Sequence, residues 1–403
     1  AQQRRARPVR ARGVAAWAAA AMLVASVVIA VVAARHAHPA EVSPVVPRGS
    51  WNAVWIAALV VALLAYGLSL LVVRGGLATA LVMTAAVQLA PLAAPLLLSK
   101  DVYLYWAGAR AVVVHDASPY RSTPNDFPAD PSTPYVSEEW RNGGAPYGPT
   151  WEALGLAPAA AAGSSHRHAA FAYKVFSVLG VLLTVGLVAR VTRRAEAVAL
   201  LGWNPLVGLH FAGGGHNDGW LVALLCMAVV ARRSARGGAA WALAGGFKPI
   251  GGILFPLDLA ADRGRRSRRF WLGLAGTAIA VLAGSAAAWG TGWFRTALVG
   301  VHGASPLGGV HWLTELGLSH HDAVAVGGVV FAAVYALLLV RAWRTGRAGL
   351  SLAASALCLT TSLLRPWYAI WPLALAAIEV DLAGAAVAVA LSAYLLLGDA
   401  VSL

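Results

Sequence analysis

Charged side chains are scarce in this 403-residue chain, making up 12% of it, about half the share of an ordinary soluble domain. A water-soluble fold needs polar groups over much of its surface, and this composition cannot supply them. Acids are scarcer still, 17 Asp+Glu against 31 Lys+Arg, which leaves a net charge of +14. Lysine is nearly missing, since 28 of those cations are arginine. Cysteine occurs only as Cys226 and Cys358, each inside an apolar run, so no disulfide framework is implied. No internal repeat, nucleotide-binding domain or metal-ligand spacing is visible in the sequence. These absences exclude a soluble enzyme, a disordered chain and a nucleic-acid binder. What is present, 59% hydrophobic residues and a mean hydropathy of +0.68, reads as a polytopic membrane protein.

The arginines then act as a topology signal. A helix needs roughly 20 apolar residues to cross the hydrocarbon core, and arginine-rich loops stay in the cytoplasm. Residues 14–34 follow Arg4, Arg5, Arg7, Arg10 and Arg12 and outrun the apolar part of a signal peptide, so they read as a retained span with a cytoplasmic N-terminus. Residues 51–73 return to Arg74, 77–98 go out, and 169–191 come back to Arg193 and Arg194. Residues 197–212 and 220–231 are short for full spans. Their connection, Gly213-Gly214-Gly215-His216-Asn217-Asp218, should therefore lie below the membrane surface and wall a cavity. Arg232, Arg233 and Arg236 precede the next apolar stretch, and Arg263, Arg265, Arg266, Arg268 and Arg269 follow it. A re-entrant hairpin turning near Gly245-Gly246-Phe247-Lys248-Pro249 keeps both groups inside, whereas a single span would separate them. Residues 270–289, 323–340, two helices flanking Arg365 and a last helix ending near Leu397 complete the map. The expectation is an all-α transmembrane bundle of about 11 full spans plus the hairpin, in the plasma membrane. It forms a single domain over residues 1–403, with a large extracytoplasmic loop at 99–168 and no soluble accessory domain. All 11 histidines fall on the outer side, although none was used to draw the map.

The outer loop opens on Asp101, directly after a span. Helical continuation to about Val114 sets Asp101, Tyr105 and Gly108 on one face and Val102, Trp106, Ala109 and Val113 on another, as in a helix lying in the interface. Asp101 either marks the water boundary or serves a site. Ser118-Pro119-Tyr120, Trp140-Arg141 and Ala145-Pro146-Tyr147-Gly148-Pro149 have loop composition and either cap the outer bundle or wall a sugar site. Asp218 precedes an apolar helix and suits an N-cap, which leaves His216 unexplained beneath glycines that let a ligand approach closely. Lys248, at bilayer depth, and Arg365, beside Trp367, Tyr368 and Trp371, would suit an anionic phosphate, with snorkelling and an aromatic belt as the plain alternatives. His302, His311, Glu315, His320 and His321 read mostly as solvated loop residues.

Taken in order, these segments resemble a family. An acid opening the first large outer loop, followed by Pro-Tyr and Tyr-Gly-Pro elements, is similar to the GT-C membrane glycosyltransferases. Trp203-Asn204-Pro205, Gly214-Gly215-His216-Asn217-Asp218, Phe247-Lys248-Pro249 and Pro366-Trp367-Tyr368 resemble the actinobacterial branch, which includes polyprenyl-phosphomannose-dependent mannosyltransferases of lipoglycan assembly. The resemblance covers most of residues 77–372, and the Ala-, Arg- and Gly-rich composition suits a high-GC actinobacterium. It departs from the family at His115-Asp116, where a Gly-containing turn is expected, and in having two helices before the one that leads to Asp101. Asp101 also lacks an acidic neighbour, so a paired-carboxylate metal site is not indicated, nor is any other cofactor.

The resemblance implies an inverting enzyme. It would move a sugar, mannose by default and arabinofuranose as the alternative, from a polyprenyl-phosphate donor to a lipid or glycan acceptor in an outward-facing cavity. Asp101 would be the general base, with Asp218 its rival, since the attacking hydroxyl must lose its proton. Lys248, Arg365 and His216 would hold the donor phosphate, and Tyr105, Tyr147, Asn217, Asp218, Trp367 and Tyr368 would bind sugar or acceptor. A transporter or flippase for a lipid-linked sugar would also keep charge in the membrane. Such folds often carry repeated halves, which this chain lacks.

Overall fold

A computed structural model describes residues 3–37, 50–72, 76–294 and 305–402, so His302 lies outside the described residues. Among them every regular element is helical and no strand occurs. In chain order the helices are α1 (Gln3–Ala37), α2 (Ser50–Val72), α3 (Leu77–Leu89), α4 (Asp101–Val113), α5 (Pro149–Ala162), α6 (His166–Thr192), α7 (Ala195–Gly202) and α8 (Pro205–Gly208). There follow α9 (Asp218–Val230), α10 (Ala235–Gly245), α11 (Pro249–Asp262), α12 (Arg268–Trp289), α13 (Gly309–Glu315) and α14 (His320–Thr345). The last three are α15 (Leu350–Thr360), α16 (Ile370–Glu379) and α17 (Leu382–Ser402).

Six of these helices are long and apolar enough to cross a membrane: α1, α2, α6, α12, α14 and α17. Hydropathy alone leads to about 11 full spans. Elsewhere the apolar sequence is broken into shorter helices whose open ends are satisfied from within. After α3, Pro91 and Pro95 end the helix, and the freed carbonyls of Leu92 and Ala94 accept from Lys174 Nζ at 3.2 and 2.7 Å. Between α7 and α8, the Asn204 side chain accepts from Val207 N, and Gln88 Nε2 donates to the carbonyls of Gly202 and Asn204 at 3.0 and 3.3 Å. Broken helices are tolerated at membrane depth only with such internal partners. On the outside of the bundle, α12 and α14 leave Leu272, Ile279, Val329 and Leu337 exposed, an apolar surface suited to lipid.

Helices α10 and α11 run antiparallel on either side of a turn at residues 246–248. At their far ends Arg266 pairs with Asp258 at 2.6 Å and Asp262 at 3.4 Å, while Arg232 and Arg233 approach the same two acids at 3.9 and 3.8 Å. Arg263 donates to the carbonyls of Trp343 and Arg344 at 2.9 and 2.6 Å. The three arginine groups thus share one end of the bundle. Lys248 sits at the other, about 20 Å away at 1.5 Å of rise per residue. The two arms, of 11 and 14 residues, are each shorter than the roughly 20 apolar residues of a full crossing.

The outer segment is more tightly built than its polar sequence suggests. Helix α4 buries Val102, Tyr103, Leu104, Tyr105, Trp106 and Ala109, so it is wrapped by protein rather than lying half in the interface. Asp116 takes φ 50°, a left-handed turn of the kind that glycine adopts most readily. Beyond it, His115 Nε2 meets Asp130 at 2.7 Å, and Arg110 Nε donates to the same carboxylate at 2.9 Å. His311 is half-buried, whereas Glu315, His320 and His321 are exposed.

Candidate functional site

Three close approaches build the site. Gly148 N donates to the Phe247 carbonyl at 3.1 Å and Thr150 N to that of Gly246 at 3.0 Å. A Cβ on Gly148 would lie 2.2 Å from the Gly246 carbonyl oxygen, so only glycine lets the Tyr-Gly-Pro element dock on the hairpin turn. Gly215, at φ +73°, would put a Cβ 2.5 Å from Val102 Cγ1; without one, the glycine loop slides under α4 and delivers His216 beneath Asp101. Finally, a short 3₁₀ turn at Pro366–Ala369 brings Trp367 and Tyr368 in front of α16, with Arg365 at its head.

These pieces enclose a cavity of about 530 Å³ whose wall includes Asp101, Tyr147, Lys248, Arg365, Trp367 and Tyr368. The other expected site residues, His216, Asn217, Asp218 and Tyr105, are buried in the layer behind that wall. Tyr105 packs edge-on to Tyr147 and Trp151, with centroids at 5.2 and 4.9 Å. His216 stacks on Trp367 at 3.6 Å, and its backbone carbonyl accepts from Ser177 Oγ. Both side-chain polar atoms of Asn217 are buried without a hydrogen-bond partner among the described residues.

The two candidate acids have opposite surroundings. Asp218 is fully buried, and its carboxylate accepts from Lys248 Nζ at 2.7 and 2.9 Å and from Trp371 Nε1 at 2.7 Å. It caps nothing: the N-cap of α9 is Asn217, with no side-chain capping bond, so the capping expectation is replaced by an ion pair. Lys248 does not snorkel. Its ammonium lies 5.2 Å from the Tyr147 and Tyr368 rings and 5.9 Å from Trp371, at cation–π distance.

Asp101 is held lightly, by the Ser99 hydroxyl and by His216 Nδ1 at 3.7 Å, and its side chain is 20% exposed to the cavity. Burial pushes its pKa upward, and the charges of Arg365 and Lys248 and the Ser99 hydrogen bond oppose that shift. The Arg365 carbonyl accepts from Tyr368 N at 3.0 Å, but its guanidinium has no hydrogen bond or ion pair with any described residue.

Reading the sequence residue by residue misses Trp293, Gly328 and Phe331, which also line the cavity. A Gly-Gly pair inside an apolar helix, Gly327-Gly328 of α14, was the available signal: a Cβ on Gly328 would meet nothing within 4 Å. Asp399 was missed as well, although an acid near the end of an apolar helix is conspicuous.

No solved structure matches the chain. Over 227 residues it is 28% identical to Alpha-(1->6)-mannopyranosyltransferase A of Corynebacterium glutamicum, an alignment covering 50% of this chain and 46% of that protein. Over 146 residues it is 33% identical to a Mycolicibacterium smegmatis protein named "Probable alpha-(1->6)-mannopyranosyltransferase", covering 33% of this chain and 25% of the relative. The match thus spans less than half the length of either curated relative. A family model described as Alpha-(1->6)-mannopyranosyltransferase, N-terminal domain, matches residues 10–261, which hold Asp101, Tyr147, His216, Asp218 and Lys248. With that match over more than half of its length, the chain belongs to the alpha-(1->6)-mannopyranosyltransferase family.

Proposed function

We propose that this protein transfers a mannosyl residue from a polyprenyl-phosphate donor to a hydroxyl of a glycan or lipid acceptor, on the extracytoplasmic face and with inversion. The reading rests on one observation: a lightly held carboxylate, Asp101, and an unpaired guanidinium, Arg365, line the same cavity. The acceptor hydroxyl donates its proton to Asp101 as its oxygen bonds to the anomeric carbon. The bond from that carbon to the phosphate oxygen breaks on the opposite face, and the lipid phosphate leaves with the electron pair. Arg365 stabilises the charge that develops there. Lys248 contributes less field, because Asp218 already offsets it. Its aromatic surroundings suit the apolar face of a pyranose. Asp218 is unsuited to the role of base, since Lys248 and Trp371 occupy its carboxylate.

The test is transfer by purified full-length protein from polyprenyl-phosphomannose to a mannosyl acceptor, with the anomeric configuration of the product read by NMR. An α-linked product from a β-linked donor is expected. Retained configuration, use of a nucleotide sugar instead, or movement of donor across vesicles without transfer would overturn the reading. Because Asp101 is raised by burial, kcat/KM should fall on acidification from a midpoint above the usual carboxylate range. That limb should vanish from the residual activity of Asp101→Asn.

A further inference from the structure

Behind Asp101 lies a file of buried titratable groups that the transfer step does not use. His216 Nδ1 is 3.7 Å from Asp101 Oδ2. The His216 and His210 rings lie 5.6 Å apart, centroid to centroid, and His210 Nε2 is 3.5 Å from Asp399 Oδ2. Both histidine side chains are wholly buried, and all four of their ring nitrogens lack a hydrogen-bond partner among the described residues. Buried ring nitrogens without partners are expensive and ask for an explanation. The Asp399 side chain is 14% exposed and stands at the end of the apolar stretch of α17, so the file runs from the cavity wall to the protein surface.

We infer that Asp101, His216, His210 and Asp399 form a proton relay that carries the acceptor's proton away from the cavity while products still fill it. The inference rests on the reading of Asp101 as base. A cavity holding lipid phosphate, sugar and acceptor excludes water, so a base facing only that cavity would keep its proton until product leaves. The relay supplies a rear exit. Asp101 Oδ2–H gives its proton to His216 Nδ1, and His216 releases the proton of Nε2 to His210. His210 passes one from Nε2 to the Asp399 carboxylate, which returns it to water. Each imidazole accepts on one nitrogen and donates from the other, and tautomer exchange resets it, so nothing is consumed.

His210 owes its place to the π-turn Leu209–Gly213 and His216 to the glycine loop. Trp367 lies against both rings, at 5.9 and 3.6 Å, and keeps them in line. The other charged groups near the file are Lys248, already paired with Asp218, and Arg365, whose charge is felt by Asp101, His216 and Asp399.

That electrostatic influence suggests the competing role for Asp399, a plain counter-charge to Arg365, and the test separates the two. In purified full-length protein with polyprenyl-phosphomannose, Asp399→Asn and His210→Gln should lower kcat roughly ten- to a hundred-fold, as loss of a proton-transfer partner does, with donor KM unchanged. The solvent deuterium isotope effect on kcat should rise, and Asp399→Glu should restore the rate. A changed donor KM with unchanged kcat would make Asp399 a counter-charge and overturn the relay. A second measurement needs no catalysis. In protein labelled with 15N-histidine, Asp399→Asn should shift the imidazole nitrogens of His216 as well as those of His210. If only His210 responds, the file is broken between the rings and the relay fails, whatever the transfer assay finds. If wild-type protein transfers no mannose while both rings respond, the coupled file stands and the mannosyltransfer reading fails.

Discussion

The bundle holds two concentrations of buried charge, one at each end of the hairpin, and they are built to opposite rules. At the arginine end, Asp258 and Asp262 face Arg232, Arg233 and Arg266, and Trp241 Nε1 adds a hydrogen bond to Asp258 at 3.0 Å. Every acid there has a cation, and the knot ties α10, α11 and α12 together. At the cavity end, Asp218 and Lys248 are likewise paired, but Asp101 and Arg365 have no opposite charge within ion-pair distance apart from His216 beside Asp101, and both line the cavity. A saturated ion pair stabilises geometry and has nothing left to offer a ligand. An unsaturated one is tolerated only where something else completes it. The difference separates structural charge from site charge, and each prediction below moves a residue across that line.

The largest effect should come from Asp101→Asn, which keeps the shape and removes the proton acceptor. Turnover should fall about 10²–10⁴-fold while donor binding and thermal stability hold. Asp218→Asn should behave differently, weakening both the fold around Lys248 and donor affinity, because it leaves a buried ammonium without its partner. An Asp101 variant that keeps more than about a tenth of wild-type turnover, beside a well-folded but inactive Asp218 variant, would move the base to Asp218.

Next in size is Arg266→Met at the saturated end. Breaking a buried pair while its acids remain costs about 3–5 kcal/mol, enough to show in the melting temperature or in detergent-solubilised yield. The reading is sharpened if surviving protein keeps its donor KM. If instead stability is untouched and transfer is lost, the knot is part of the site and the comparison collapses.

How far the sequence carries these distinctions depends on range. Asp101, Lys248 and Arg365 stand out because charge in apolar surroundings is conspicuous without any alignment. The hairpin was legible because the arginine groups on both sides of residues 237–261 demanded one end. The breaks within the shorter apolar helices were not legible. Hydropathy cannot see that Gln88 satisfies the break at Asn204, more than a hundred residues away. The fate of Asp218 was hidden for the same reason. Its cap position is local and plausible, whereas its partners are Lys248, 30 residues on, and Trp371, 153 residues on. Local rules assigned a local role, and tertiary contacts overrode it.

A middle-sized effect distinguishes the two cations. Arg365→Gln removes the unpaired guanidinium and should raise donor KM roughly ten- to a hundred-fold, the size of one charge-assisted hydrogen bond. Lys248→Met should raise it less, since the net charge of the Lys248–Asp218 pair is already near zero. Equal effects in steady-state assays with polyprenyl-phosphomannose would mean that Lys248 leaves Asp218 when donor binds, and that the cavity end is less saturated than it looks.

The smallest effect concerns the outer segment, where Asp130 repeats the saturated design in miniature. Burial works against its charge, but hydrogen bonds from Arg110, Ser132 and His115 more than offset this and hold its carboxyl well below the usual range. A carboxyl lowered on folding contributes stability that is fully present above its unfolded pKa, near 3.9, and is lost as pH falls through that value toward the folded one. Above roughly pH 5 the segment should therefore be insensitive to pH through this group, and below it the contacts of residues 110–132 should loosen. Hydrogen exchange between pH 6 and pH 3.5, corrected for the intrinsic rate, should show protection at residues 115–133 falling, with that of α6 unchanged. Asp130→Asn should flatten the dependence by starting from the loosened state. Because Asp130 lies outside the cavity wall that holds Asp101 and Tyr147, that variant should retain most of its turnover at neutral pH. A complete loss of activity in folded Asp130→Asn would show that the outer cluster belongs to the site rather than to its scaffold.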